Sequence, residues 1–400
     1  MKKRGIIVLK KLIIVMTVMM LTSSVTTLAK EQAIVWDKEA IDEAACQYLG
    51  EESPQILYQQ DLYNIDEDVC AVFIKCKKGY MILGRCQDVY PVVEYGITNG
   101  VCFLEKAELK VLEEYNKPEE IKLYYFGGLE YYCGVKDKGK IDYYSLGNDK
   151  NRIIFREELE DAAKNAEQID YFTKEEWENV STGAASGKSK IENPKLYESS
   201  YYSRNQKFVS GYNKPAYFLM TNFTTVFGQN KSSKIRNHCA PTAATNLLKY
   251  WYERNTAKYA PLKNKKWENT FKKLYNYMGT NNSIGTLNKN IASGYISFLR
   301  EVGVSFKTVS RSTYVSWKQM KQEIDNNYPF HLAIISKESG GYYGDHSVLA
   351  LGYVFYTYNS GSQYTYSRYM AIRDGWDKEF RYVHVSNRVK CFEMIQLHLN

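Results

Sequence analysis

Residues 227–255 read FGQNKSSKIRNHCAPTAATNLLKYWYERN and set a cysteine, Cys239, directly ahead of a helix. Ala240 and Pro241 suit a first helical turn, where proline's missing N–H has no partner to lose, and Ala244, Leu247, Leu248 and Trp251 then recur at helical spacing. A thiol at a helix N-terminus feels the positive end of the helix dipole, and a neighbouring imidazolium lowers its pKa further, so a reactive thiolate can exist near neutral pH. The same pattern also fits a small buried cysteine at the head of a core helix. A base elsewhere in the chain decides between the two.

Five histidines are available: His238, His331, His346, His384 and His398. His238 adjoins the cysteine and is expected to point away from it, and His398 falls in the terminal tail. His346 opens HSVLALGY (346–353) directly after the glycine-rich GGYYGD, so it sits at the lip of a strand whose alternate members Val348 and Ala350 share its face. From there it can reach a helix N-terminus, which makes it the expected base. The following strand-like segment YMAIRDGW ends near Asp374, and a short turn-rich connection makes a hairpin that returns Asp374 towards His346. Asp374 is the expected orienter of the imidazole, with Asp377 and Asn387 as fallbacks.

The order Cys…His…Asp, the helix-opening NHCAPTAATNLLKYW (237–251), the strand HSVLALGY and the following IRDGW (372–376) resemble the C39-like cysteine peptidases of the papain-like superfamily, with the streptopain-like peptidases next nearest. The likeness runs from about Asn222 to His384. It implies an α+β fold in which the helix carrying the nucleophile packs on an antiparallel sheet, a catalytic set of Cys239, His346 and Asp374, and a peptide or protein substrate. It also implies a glutamine ahead of the cysteine that helps form the oxyanion hole. Gln229 stands ten residues ahead, farther than the usual few, with NKSSKIRN as the extra loop, and the family's more common CGP is CAP here. GYMILGRCQDVYPVVEYG (79–96) is similar to a strand–turn–strand segment of streptopain-like propeptides, which implies a prodomain. No metal or organic cofactor is implied.

Composition bounds these expectations. The 400 residues are 44% hydrophobic, 14% aromatic and 24% charged, enough for a sizeable core and too long for one typical domain. The formal charge of +8 is uneven. Residues 30–190 hold 20 basic and 32 acidic residues and so carry −12, whereas residues 191–400 hold 28 and 13 and carry +15. A uniformly basic nucleic-acid binder does not look like this; two lobes that attract each other do.

The first 29 residues have the build of a secretory signal: cationic MKKRGIIVLKK, apolar LIIVMTVMML and a small-residue site ending at Ala29. Export is expected, with no stable membrane span after cleavage; an uncleaved anchor would have to extend ten clean apolar residues past Lys10 and Lys11. The organisation expected is a signal at 1–29, an acidic α+β prodomain at 30–179 that inhibits its own enzyme, a linker at 180–200 and a papain-like domain at 201–400. VSTGAASGKSKIENPK (180–195) is small, polar and aperiodic, the natural place for proteolytic cutting.

Within the prodomain a short helix is expected over Ala40–Leu49, strands around VCAVFIKC, GYMILGRC, YPVVEYGI and KLYYFGGLEYYCGV, and acidic helix over Arg156–Asn179. Six of the eight cysteines lie in this part. Cys70 and Cys76, six apart in one strand, are expected on one face; the six are disulfide partners or buried thiols. Two other functions stay open: a papain-like acyltransferase (transpeptidase or transglutaminase) using the same residues, and a cell-surface binding protein whose papain-like lobe is catalytically dead.

Overall fold

The computed structural model describes residues 34–400 apart from 87–88, 99, 101, 116, 127–128, 130, 147–151, 155, 158, 161–201, 224–234, 236, 283, 335–345, 360–363, 377 and 386–391. The signal, the linker, most of the acidic helix at 156–179, and Gln229, Asp377, Asn387 and Cys391 lie outside the described residues.

The chain enters through α1 (Lys38–Ala44), whose N-cap Asp37 accepts the Ala40 N–H at 2.8 Å. It continues as a π-helical turn to Leu49 and is stopped by Gly50 at φ 66°. Four strands follow as an antiparallel meander: β1 (Ile56–Tyr63), β2 (Val69–Cys76), β3 (Gly79–Gly84) and β4 (Val92–Ile97). After α2 (Phe103–Leu112) the KLYYFGGLEYYCGV segment supplies an antiparallel pair, β5 (Glu120–Tyr125) with β6 (Tyr131–Asp137). Next come β7 (Lys140–Leu146) and β8 (Arg152–Ile154), while β5 lies parallel to β1.

The expectation that Cys70 and Cys76 share a face is corrected by a bulge. Leu62 pairs with Ala71 and Tyr63 with Val69, so Cys70 is the extra residue in β2 and the two-residue alternation slips there. Cys70 joins one core cluster, with its Sγ 3.5 Å from the Leu62 carbonyl and 3.6 Å from that of Tyr125, whereas Cys76 joins another. Burial pushes the Cys76 thiol up to about 12 and that of Cys70 well above its ordinary range.

The second half contributes β9 (Tyr202–Phe208), α3 (Cys239–Arg254), α4 (Trp267–Tyr277), α5 (Ile291–Glu301), β10 (Phe306–Ser312), α6 (Trp317–Asp325), β11 (Phe330–Ile334), β12 (His346–Asn359), β13 (Tyr364–Arg373), β14 (Arg381–His384) and β15 (Phe392–Leu399). His398, expected in a terminal tail, lies in β15. Its Nε2 is 2.7 Å from Glu323 Oε2 and its ring stacks on Tyr328 at 3.9 Å, so the alternation of FEMIQLHL is a buried strand.

All the described strands share one sheet in the order β10-β15-β11-β12-β13-β14-β4-β3-β2-β1-β5-β6-β7-β8, with β9 laid along β12. The junction that matters is β14 with β4, antiparallel, pairing Arg381 with Gly96, Tyr382 with Tyr95 and Val383 with Glu94. Gly96 is required there, since a Cβ would come 2.3 Å from the Tyr80 ring. On one face a single apolar cluster takes in Ile34, Trp36, Tyr48 and Tyr95 together with Val354, Tyr356, Tyr369 and Tyr382. Tyr95 and Tyr382 stack at 4.6 Å with planes 3° apart. Sheet and core therefore run without a break from residues before the linker to residues after it. The α+β class expected from the sequence is present, with α3 packed on β11 and β12.

Candidate active site

The first helical residue of α3 is Cys239, half-exposed, while Ala240 to Leu248 behind it are buried. The helix start is tied down on several sides. His238, at the N-cap, sets its Nδ1 3.0 Å from Thr242 Oγ1 and presents its ring edge-on to Phe271. Asn237, in the left-handed region at φ 54°, donates through Nδ2 to the Asn282 carbonyl at 2.9 Å. Asn246 clamps the main chain of Phe218 with bonds of 2.7 and 2.8 Å. A cysteine so placed sits at the positive end of the helix dipole.

His346 is the first residue of β12, opposite Ile334 of β11, and is buried. Its Nε2 lies 2.8 Å from the main-chain carbonyl of Asp374. A carbonyl oxygen only accepts, so Nε2 carries the proton and Nδ1 keeps the lone pair. Trp376 stacks on the ring at 4.4 Å, fixing its plane. Burial first, then the positive charge of Arg381, pushes the imidazole down to about 4, against the opposing effect of the Asp374 carbonyl. In this arrangement the His346 imidazole is neutral at pH 7.

The hairpin of β12 and β13 brings Asp374 to His346, but by the main chain. The Asp374 carboxylate turns the other way: Oδ1 accepts the Trp376 N–H at 2.8 Å, and Oδ2 is 2.7 Å from Arg381 Nη2. The turn is fixed by Gly375 at φ 83°, whose carbonyl accepts the Met220 N–H at 2.8 Å. A Cβ on Gly375 would lie 3.6 Å from Thr242 Cγ2, which sets this turn against the first turn of α3. The helix start and His346 are thereby both tied to this turn.

The other histidines are occupied by packing. His331 has Nδ1 3.3 Å from the Tyr295 hydroxyl and is pushed down to about 3 by burial, with His346 adding to the shift. His384 is buried against Tyr90 at 4.1 Å. Among the described residues no cluster of three or more His, Cys, Asp or Glu side chains could hold a metal ion, and no helix is long and apolar enough to cross a membrane.

Sequence reasoning missed three side chains at this site. Arg381, from β14, is buried and pairs with Asp374; Glu94, from β4, is buried and has Oε1 3.6 Å from Arg381 Nε and 2.8 Å from the Tyr80 hydroxyl. Trp376 carries His346 on its ring and has the Arg381 guanidinium 5.0 Å from its centre. A carboxylate inside the apolar run YPVVEYG was the available signal for Glu94.

A family model described as the Peptidase_C39 like family matches residues 190–390, half of the chain. The chain belongs to that family. The match spans all of the helix start, His346, Asp374 and Arg381, and leaves the segment carrying Glu94 outside it. Among solved structures, a fragment of prointerpain A from Prevotella intermedia, in a cysteine-to-alanine mutant form, is similar at 9% identity with a TM-score of 0.41, covering 86% of this chain and 98% of that one. No curated protein matches the chain.

Proposed function

We propose that this chain is a secreted cysteine endopeptidase made as a pre-pro-enzyme, with Cys239 as nucleophile and His346 as base. The observation that supports it best is the bond from His346 Nε2–H to the Asp374 carbonyl, because it fixes the tautomer that leaves Nδ1 basic and ties the ring to the turn that Gly375 sets against the first turn of α3. In the reaction Nδ1 takes the Sγ proton as sulfur attacks the peptide carbonyl. The oxyanion forms at the helix N-terminus, where the Cys239 main-chain N–H stabilises it together with the Gln229 side chain. Nδ1–H then protonates the leaving amine, and water deprotonated by His346 cleaves the thioester. Asp374 serves as orienter through its carbonyl, while its carboxylate fixes the turn.

The part before the linker acts in this reading as an intramolecular regulator, joined to the catalytic part through β4 and β14. Export rests on the cationic and apolar leader ending at Ala29.

The test uses full-length protein recovered from culture medium, before and after nicking in 180–195, assayed on a denatured protein substrate with Cys239→Ala as control. Hydrolysis that vanishes in Cys239→Ala, from protein whose N-terminus is Lys30 or lies between Val180 and Tyr201, is the expected result. Hydrolysis unchanged in Cys239→Ala would refute it, and an added amine captured in the product would make the enzyme an acyltransferase.

A further inference from the structure

A guanidinium out of water needs compensating charge, and Arg381 is almost wholly buried. Its compensation comes from two parts of the chain: Asp374 on the catalytic turn at 2.7 Å, and Glu94 on β4 at 3.6 Å. The register of β14 on β4 places it so, since Arg381 sits opposite Gly96 and Val383 opposite Glu94. Its guanidinium also lies over Trp376, which stacks on the His346 ring. Glu94, Arg381, Trp376 with Asp374, and His346 form a continuous chain of contacts from the N-terminal part to the base.

We infer that Arg381 is a positioning residue of the 374–376 turn, shared between Asp374 and Glu94, through which the seating of β4 on β14 is felt at His346. The inference rests on the cysteine-peptidase reading above. Arg381 acts by holding the Asp374 carboxylate, and with it the carbonyl that receives His346 Nε2–H. Without it the Asp374 side chain loses its buried partner and the turn loses one side of its clamp.

The electrostatics agree. Burial by itself lowers the pKa of Arg381, but Asp374 first, then Tyr80, Glu94 and Tyr131, raise it well above its ordinary value. Glu94 is raised by burial and by Asp374 against the opposing effect of Arg381, Tyr131 and Tyr80. The charged and titratable groups gathered about the base are thus Arg381 from β14, Asp374 from the turn and His331 from β11, with Glu94, Tyr80 and Tyr131 reaching it through Arg381.

The experiment uses the full chain and two readouts that do not require turnover: the NMR titration of the His346 ring, and the pH profile of Cys239 alkylation by iodoacetamide, resolved by peptide mapping with exposed Cys46 as internal reference. Arg381→Met should raise the His346 midpoint by about one pH unit and slow Cys239 alkylation near neutrality about tenfold. Arg381→Lys keeps the charge without the planar fork, so the midpoint should stay and alkylation should still slow several-fold. Glu94→Gln should move the midpoint in the direction opposite to Arg381→Met, by about threefold in the proton equilibrium, and should do nothing further in the Arg381→Met background.

A folded Arg381→Met with unchanged midpoint and unchanged alkylation would overturn the positioning role; if that variant does not fold, unchanged alkylation in Arg381→Lys does the same. A Glu94→Gln shift that is absent, or equal in both backgrounds, would overturn the sharing. If Cys239 in the wild-type chain reacts no faster than Cys46 and is indifferent to His346→Ala, the nucleophile reading fails instead, and the His346 titration still decides the Arg381 question.

Discussion

Asp374→Asn separates the two ways in which an aspartate can serve an imidazole. Were the carboxylate the orienter, the amide would offer the wrong hydrogen-bonding group and lower turnover by as much as about 10⁴-fold. In the structure the atom that meets His346 is the main-chain carbonyl, which the substitution keeps, so turnover should fall less than about 10²-fold. The larger effect should be on stability, because the carboxylate 2.7 Å from the buried Arg381 is the nearer of its two counter-charges. Removing one partner of a buried ion pair costs about 3–5 kcal/mol; the remaining Glu94 brings the expected loss to the lower end, about 3 kcal/mol. At the entropy of unfolding of a chain this size, about 0.8 kcal/mol/K, that is a fall in Tm of about 4 °C. Steady-state hydrolysis and thermal unfolding on the same preparation check it. A fall in turnover above 10³-fold with an unchanged Tm would refute the carbonyl assignment.

Three further outcomes follow from the site and its surroundings. Gln229→Ala should slow turnover by about 10²-fold or more with little change in substrate binding, and no change in rate would move the oxyanion role to another group. His331 and His346, whose folded-state pKa values lie near 3 and 4 against about 6.5 unfolded, bind fewer protons in the folded state, so they make stability rise with pH from about 4 to 6.5 and lose it as the solution is acidified. Glu108 has the opposite sign: burial pushes it up to about 7, so its contribution is present at low pH and lost between about 4.5 and 7. At about 1.4 kcal/mol per pH unit for each proton, Glu108→Gln should steepen the rise in stability between pH 5 and 6, and urea denaturation at both pH values that shows no steepening would contradict the burial of Glu108.

The elements of the half that the family model matches were legible because their signals are local. Pro241 behind a cysteine, the spacing of Ala244, Leu247, Leu248 and Trp251, and the alternation after His346 each specify an element within one window, and the β12–β13 hairpin follows from a short connection. What was not legible depended on strand pairing at long range. Nothing near Arg381 in sequence announces Glu94, 287 positions earlier, because their meeting is set by the register of two short strands. Which atom of Asp374 meets His346 likewise turns on the positive φ of Gly375 and on Arg381 claiming the carboxylate. The cysteine pattern failed at Cys70 for a related reason, since one inserted residue reverses the alternation and periodicity alone does not reveal a bulge.

The charge imbalance between the two halves predicts an association that salt weakens, yet the contacts between them are of another kind. Among the described residues they include a strand pair, a stack of tyrosines and the buried Glu94–Arg381 pair, all removed from the ionic atmosphere that screens exposed charges over about 10 Å at 0.1 M salt. If the N-terminal part departed, Val354, Tyr356, Tyr369 and Tyr382 would lose the cover of Tyr48, Tyr95 and their neighbours. At about 1.5–3 kcal/mol for each large apolar side chain returned to water, that amounts to about 6–12 kcal/mol before the freedom gained on separation is counted. Cutting the linker should therefore leave the two pieces together, and raising salt from 0.1 M to 1 M should not part them, because apolar contact is undiminished by screening. Gel filtration of the nicked chain at both salt concentrations checks this. Co-elution throughout is expected, and separation at high salt alone would return the association to the exposed charges. Release would then require a further cut within β1 to β4, where loss of the β4 edge would also take Glu94 away from Arg381.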